Sequence, residues 1–188
     1  AKRMRKAGLR SKIRRKYRVT TDSKHKFPVA PNLLERNFTA HARDKVWVSD
    51  ITYLATRSGW LYLTVIIDLF SRMVVGWALS SSLGHEMVVT ALKRAIRRRR
   101  PSNGLIFHSD RGVQYACTDF RKELDKHKFI QSMSRKGNCW DNAVAESFFA
   151  IMKTELVYHE RYEGHQDCLH SIFEYIEVFY NRKRRHST

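Results

Sequence analysis

Apolar residues crowd into short runs over the first half of the chain and into helical stripes over the second. Three runs, 46–54, 60–68 and 72–79, are rich in Val, Ile, Tyr, Trp and Leu, and only Arg57-Ser58-Gly59 and a corner near Phe70-Ser71 separate them. Connections that short predict an antiparallel meander of three strands. From 85 to 100 the period changes. Met87, Val88, Ala91, Leu92, Ala95 and Ile96 fall on one helical face, after a Ser-rich start and before Pro101. Arg97 to Arg100 then end that helix, where cations offset its dipole. A fourth strand is predicted over 105–108, a helix over 118–127 with Phe120 and Leu124 inward, and a brief fifth strand over 129–131. After a loop, 132–139, comes a helix over about 142–157, capped by Asp141 or Asn142. A last helix over 166–180 carries the stripe Leu169, Ile172, Phe173, Ile176 and Phe179. The order is βββαβαβαα. A strand, helix, strand succession requires parallel pairing through a right-handed crossover, so the class is α/β, with a five-stranded mixed sheet flanked by helices.

Ahead of the first strand the pattern dissolves. Residues 1–9 (AKRMRKAGL) read as the last turns of a helix, and 10–32, basic and then rich in Thr, Ser and Pro, read as an extended linker. The expected division is a basic arm over 1–32, the tail of an upstream DNA-binding region, and a core over 33–188. Charge sharpens this division. Of the net +18, residues 1–26 supply +11 and the remainder +7, so the body is basic even without its arm. That balance favours a polyphosphate partner through counterion release. Arg14, Arg15 and Lys16 are candidates to track a DNA backbone, or else belong to a solvated tail. The three cysteines, with no Cys-x-x-Cys pair, argue against a disulfide framework and for a reducing compartment. No apolar run approaches membrane length, so the expected place is the cytoplasm, associated with the nucleoid.

Three acids stand out against this basic background. Asp50 interrupts a strand-like apolar run, where an unpartnered charge is costly to bury. Asp110 follows the strand-like Leu105-Ile106-Phe107-His108-Ser109, and Glu146 stands in the first turns of a predicted helix, 35 residues intervening between the two. If the three converge, they form an oxygen-rich site for divalent metal facing a polyanion.

The segments around these acids, WVSDITYL, HSDRGVQY and SMSRKGNCWDNAVAESFFAIMKTE, closely resemble the catalytic core of bacterial transposases of the insertion sequence three group, relatives of retroviral integrases. The resemblance covers about residues 27–188, and the spacing matches the family's DD(35)E pattern. It implies a ribonuclease-H-like fold and assigns Asp50, Asp110 and Glu146 to the catalytic, metal-binding triad. It implies two Mg²⁺ ions, with Mn²⁺ able to substitute. The implied reaction is 3′-end cleavage and strand transfer on the terminal repeats of an insertion sequence and on target DNA, by a dimer or larger homo-oligomer. A hydrolytic nuclease of the same fold and an inactive DNA-binding derivative are the competing functions.

Around the triad, Lys153 lies two helical turns beyond Glu146 on the same face, and is expected to reach a phosphate. Arg135, Lys136 and Asn138 offer further DNA contacts from the preceding loop. Trp140 and His108 are expected to pack in the core, and Asp68 to form a turn. His165, Cys168 and His170 lack the paired spacing of a zinc site.

Overall fold

The structure, a computed structural model, describes Lys6, Gly8 and residues 25–135 and 139–184, leaving aside the side chains of Cys139 and Trp140. The expectations for 1–5 and 9–24, for Lys136 and Asn138, for the Trp140 side chain and for 185–188 therefore lie outside the described residues.

Three long strands, β1 (Val46–Thr56), β2 (Gly59–Asp68) and β3 (Val74–Ser80), form the meander, and α1 (His85–Arg99) carries the chain back across the sheet. Then follow β4 (Ile106–Ser109), α2 (Val113–Ala116), α3 (Thr118–Lys126), β5 (Ile130–Met133), α4 (Ala143–Glu155) and α5 (His165–Phe173). The sheet order is β3-β2-β1-β4-β5. β1 runs antiparallel to β2, with Asp50 opposite Val65, and parallel to β4, with Val48 opposite His108. The mixed sheet is the one the succession of elements requires.

Alternation along the strands feeds two cores. On one face Trp47, Ile51, Ile66 and Val75 pack against Met87, Val88, Leu92 and Ala95 of α1 and Phe120 and Leu124 of α3. On the other face Val48, Leu54, Leu63 and Val65 pack against Phe148, Phe149 and Met152 of α4 and Ile172 of α5. Gly76 lets β3 approach α1 closely: a Cβ there would lie 2.4 Å from the Ala91 carbonyl oxygen. Asp68 makes the turn predicted for it, accepting from the Ser71 backbone and hydroxyl at 2.9 and 2.6 Å. Two of the four arginines ending α1 are committed to structure, Arg99 to Asp44 at 2.9 Å and Arg98 to Glu177 at 3.1 Å.

Two local features depart from the hydrophobic pattern. The short α2 sits where a loop was expected, its Tyr115 and Ala116 fully buried. The final helix does not keep one period: after Phe173 the winding widens to a π-helix over Glu174–Tyr180. Leu169, Ile172 and Ile176 of the predicted stripe still pack into the core. Phe173 and Phe179 are left 47% and 41% exposed, and Tyr175 and Tyr180 are buried in their place.

Candidate active site

β1 and β4 pair only over Val46–Val48, so the sheet parts at Asp50. A crevice beside the carboxyl end of a parallel strand is where open α/β sheets place their ligands. Asp50, half-buried, lies on β1 at this parting, its Oδ1 accepting the Ile51 amide at 2.8 Å. Asp110, also half-buried, follows the last residue of β4 and accepts the Gly112 amide at 2.9 Å. Glu146 projects from the first turn of α4, exposed at the rim.

Their charges interact. Burial raises the Asp50 carboxyl well above its ordinary range, and the neighbouring charges of Asp110 and then Glu146 raise it further. Partial desolvation raises Glu146 as well. Lys153, half-buried one side of α4 further on, is close enough to Asp50 to feel its charge, although desolvation still lowers its ammonium. Its Nζ also lies 5.0 Å from the centre of the Tyr53 ring. Among the described residues no three His, Cys, Asp or Glu side chains close around a point as a ready ligand shell, the His165, Cys168 and His170 group included. The three acids form an open array. Hard carboxylate oxygens, those of Asp50 held in a carboxyl raised by burial and by the neighbouring acids, fit a divalent oxygen-seeking cation.

Beneath the acids lies a fixed polar floor. The Ser49 hydroxyl donates to the Val65 carbonyl at 2.8 Å, so the Tyr115 hydroxyl, 2.8 Å from Ser49 Oγ, must be the donor in that pair. Burial, with Asp50 and Asp110 nearby, raises the phenol and keeps it protonated. Asn142 ties the start of α4 to β1, its amide donating to the Ser49 carbonyl at 3.1 Å. This bond sets the helix bearing Glu146 against the strand bearing Asp50.

His108 is fully buried, as expected, but hydrogen-bonded on both sides. The Asp141 carbonyl, 2.9 Å from Nε2, can only accept, which puts the proton on Nε2 and makes Nδ1 the acceptor for the Ser132 hydroxyl at 2.8 Å. Burial lowers its pKa and favours that neutral form.

Asp141 corrects an expectation. Neither it nor Asn142 caps α4 through its side chain. Fully buried, the Asp141 carboxylate accepts from the Arg135 backbone amide, Nε and Nη2, each at 2.9 Å, from Arg36 Nε at 3.2 Å and from Asn32 Nδ2 at 3.0 Å. These donors hold its carboxyl far below the usual range. The Arg135 guanidinium, taken from the sequence as a DNA contact, is thus engaged with Asp141 in this structure. The chain before β1 is drawn in too: Pro31 accepts from the Met133 amide at 3.2 Å, and Leu33 donates to Ser132 Oγ at 2.9 Å. Tyr115, Asn142 and Asp141 were not singled out as functional from sequence. The available signal for the first two was their place in the short segments around Asp110 and Glu146.

A β3-β2-β1-β4-β5 sheet covered by helices on both faces, with acids where β1 and β4 part, is a ribonuclease-H-like architecture. The chain belongs to the integrase core domain family, which matches residues 40–139 and again 146–188. An uncharacterized 31 kDa protein of insertion element IS600 from Shigella sonnei is 48% identical over 95% of this chain and 66% of its own length. The transposase InsF of insertion sequence IS3A from Escherichia coli K12 is 44% identical over 98% of this chain and 64% of its own length. The chain therefore spans about two thirds of the relatives it matches. Similar folds occur in a simian T-cell lymphotropic virus intasome solved with PP2A regulatory subunit B56 gamma (TM-score 0.65, 17% identity, 89% of this chain and 57% of that one). The Mos1 transposase catalytic domain, solved with raltegravir and Mg, is another (TM-score 0.60, 16% identity, 72% of each chain). Among the described residues no helix is long and apolar enough to cross a membrane.

Proposed function

We propose that the chain is the catalytic core of a DDE transposase that cuts 3′ ends of an insertion sequence and joins them to target DNA, acting as a dimer or larger assembly in the bacterial cytoplasm. The observation that carries this reading is the convergence of acids from β1, the end of β4 and the start of α4, with Lys153 beside them, in a protein of net charge +18. The transposase relative and the magnesium of the Mos1 domain support it.

Asp50, Asp110 and Glu146 would hold divalent metal, Mg²⁺ by preference and Mn²⁺ as a substitute, two ions being the number that suits phosphodiester transfer. Bound there, the metal supplies Lewis acidity, activating a water or a 3′-hydroxyl and neutralising charge on the phosphoryl oxygens. The protein groups do the positioning. Asp50 is held on a central strand by the Ile51 amide, and of the charges that act on it only that of Lys153 offsets its own. Asn142 fixes the distance between that strand and Glu146. The Lys153 ammonium, between Asp50 and the Tyr53 ring, is placed to take a phosphate oxygen of the bound strand. Arg14, Arg15, Lys16, Lys136 and Asn138 are proposed to follow the flanking backbone. Arg135 would serve the Asp141 anchor first and DNA second.

A strand-transfer assay with labelled element-end DNA tests this. Product is expected with Mg²⁺, none with chelator, and a loss of at least about 10³-fold in Asp50→Asn, Asp110→Asn and Glu146→Gln, with DNA binding retained. Cleavage without joining to a new strand would favour a hydrolytic nuclease instead. Binding without any metal-dependent product would favour an inactive derivative.

A further inference from the structure

The peptide unit between Arg111 and Gly112 is held at both ends. Its N–H donates to Asp110 Oδ1 at 2.9 Å, and its carbonyl oxygen lies 2.8 Å from Nε2 of His25, a half-buried residue 86 positions earlier in the chain. A carbonyl can only accept, so the imidazole proton sits on Nε2 and His25 is the donor. The C=O and N–H of a trans peptide share one plane and point in opposite directions, so fixing one end fixes the aim of the other. His25 thus sets the direction of the amide that Asp110 accepts. A hydrogen bond on the carbonyl also polarises the amide, which strengthens its bond to the carboxylate. Arg111 braces the turn from another side, its Nε donating to the Ser134 carbonyl at 2.6 Å. Docking of the segment before β1 does not need the His25 bond, because Pro31, Asn32 and Leu33 already tie that segment to Met133, Asp141 and Ser132. His25 reaches beyond those anchors to the turn that carries Asp110.

We propose that His25 is a positioning residue for Asp110: acting through the Arg111–Gly112 peptide, it holds that carboxylate in the orientation in which it serves the acidic site. Without the imidazole the peptide is free to turn over, and its N–H then leaves Asp110. The consequence for metal rests on the reading of Asp50, Asp110 and Glu146 as a metal site, whereas the restraint on the peptide does not.

The test compares the 188-residue chain with His25→Ala, with His25→Phe, which keeps a ring beside Phe27 but has no donor, and with His25→Gln, which restores an N–H donor. Amide hydrogen exchange is measured without metal, and Mg²⁺ affinity by calorimetry. In His25→Ala and His25→Phe the Gly112 amide should exchange at least about fivefold faster than in the wild type. Their Mg²⁺ affinity should fall by about three- to tenfold. His25→Gln should recover most of both. The Met133 amide, which donates to Pro31 and so reports docking of the segment, should exchange as in the wild type throughout. Unchanged Gly112 exchange in His25→Phe overturns the proposal, and so does a Met133 amide that accelerates together with that of Gly112, since the histidine then only docks the segment. Faster Gly112 exchange with unaltered Mg²⁺ affinity overturns the positioning role and leaves the metal reading standing. A wild type that binds no Mg²⁺ removes the metal reading, and Gly112 exchange still decides whether His25 holds Asp110. Should His25→Ala fail to fold, the contrast between His25→Phe and His25→Gln carries the same decision.

Discussion

Asp141 and Asp50 flank the same junction, one just before Asn142 at the head of α4 and the other just after Ser49, which Asn142 grips. Both are withdrawn from bulk water, and their carboxyls move in opposite directions. Asp141 receives five hydrogen bonds, from Arg135, Arg36 and Asn32, and is held far below its ordinary range. Asp50 receives one, from its neighbour's amide, faces two more acids and is raised. A structural acid brings its own counter-charge from within the chain. Asp50, which we propose as a metal ligand, leaves part of that charge to be supplied, and the fold tolerates the imbalance because the rest of the sheet is well packed.

The largest test of this contrast exchanges stability against activity. Asp50→Asn removes an uncompensated charge, so the metal-free protein should melt about 2–4 °C higher at neutral pH while strand transfer falls at least about 10³-fold. Asp141→Asn should do the reverse. It strands two guanidinium groups and a buried amide, costing about 2 kcal/mol after allowing for the exposure of both arginines, or a Tm lower by about 4–8 °C. Its activity at low temperature should fall by no more than about tenfold. If Asp50→Asn melts lower than the wild type without metal, the charge at Asp50 is already balanced and the contrast collapses.

How far this contrast could be read in advance follows from range. The apolar runs of β1 to β3 and the stripe of α1 are local signals, and the sheet they build is the one observed. The spacing of Asp50, Asp110 and Glu146 was legible because short recognisable segments surround each. The partners of Asp141 come from positions 32, 36 and 135, separations that no periodicity reports, so a capping role looked simpler. Tyr115 lay in a stretch to which no element was assigned, since four residues of helix leave almost no periodic trace. The stripe of the last helix holds at Leu169, Ile172 and Ile176 and fails at Phe173 and Phe179 for a different reason. A π-helical stretch after Phe173 changes the period itself, and Tyr175 and Tyr180 are buried there together with Ile176.

Acidity separates the two sites next. With its folded pKa above the ordinary 3.8, Asp50 keeps a proton that the unfolded chain has lost, so its contribution to stability fades as pH rises through the raised value. A cation competes for the same carboxylate, and Mg²⁺ affinity should climb over that same window. Calorimetric titration at two pH values on either side of the raised Asp50 range should show tighter binding at the higher pH, and a weaker pH dependence in Asp50→Asn, where only the raised Glu146 carboxyl is left to compete. Asp141 has the opposite sign. Its depressed pKa contributes stability present above the ordinary carboxylate range and lost only as pH falls through strongly acid values. Acid unfolding, followed by circular dichroism, should therefore begin at higher pH in Arg135→Ala, whose Asp141 protonates more easily.

The smallest effect bears on how the anchor is divided. Arg135 and Arg36 expose similar fractions of their side chains, 53% and 49%, yet Arg135 grips Asp141 with two nitrogens and its own backbone amide, whereas Arg36 offers Nε alone. Bidentate pairing fixes a guanidinium at less entropic cost per bond. Arg135→Ala should therefore lower the melting temperature by more than Arg36→Ala does. A double-mutant cycle with Asp141→Asn should return a coupling for Arg135 at least twice that for Arg36. Equal couplings would mean that Arg36, which belongs to the segment leading into β1, matters as much as the residue on the loop before α4. The acid would then act chiefly to clamp that incoming segment, and the contrast with Asp50 would concern chain docking more than the placement of Glu146.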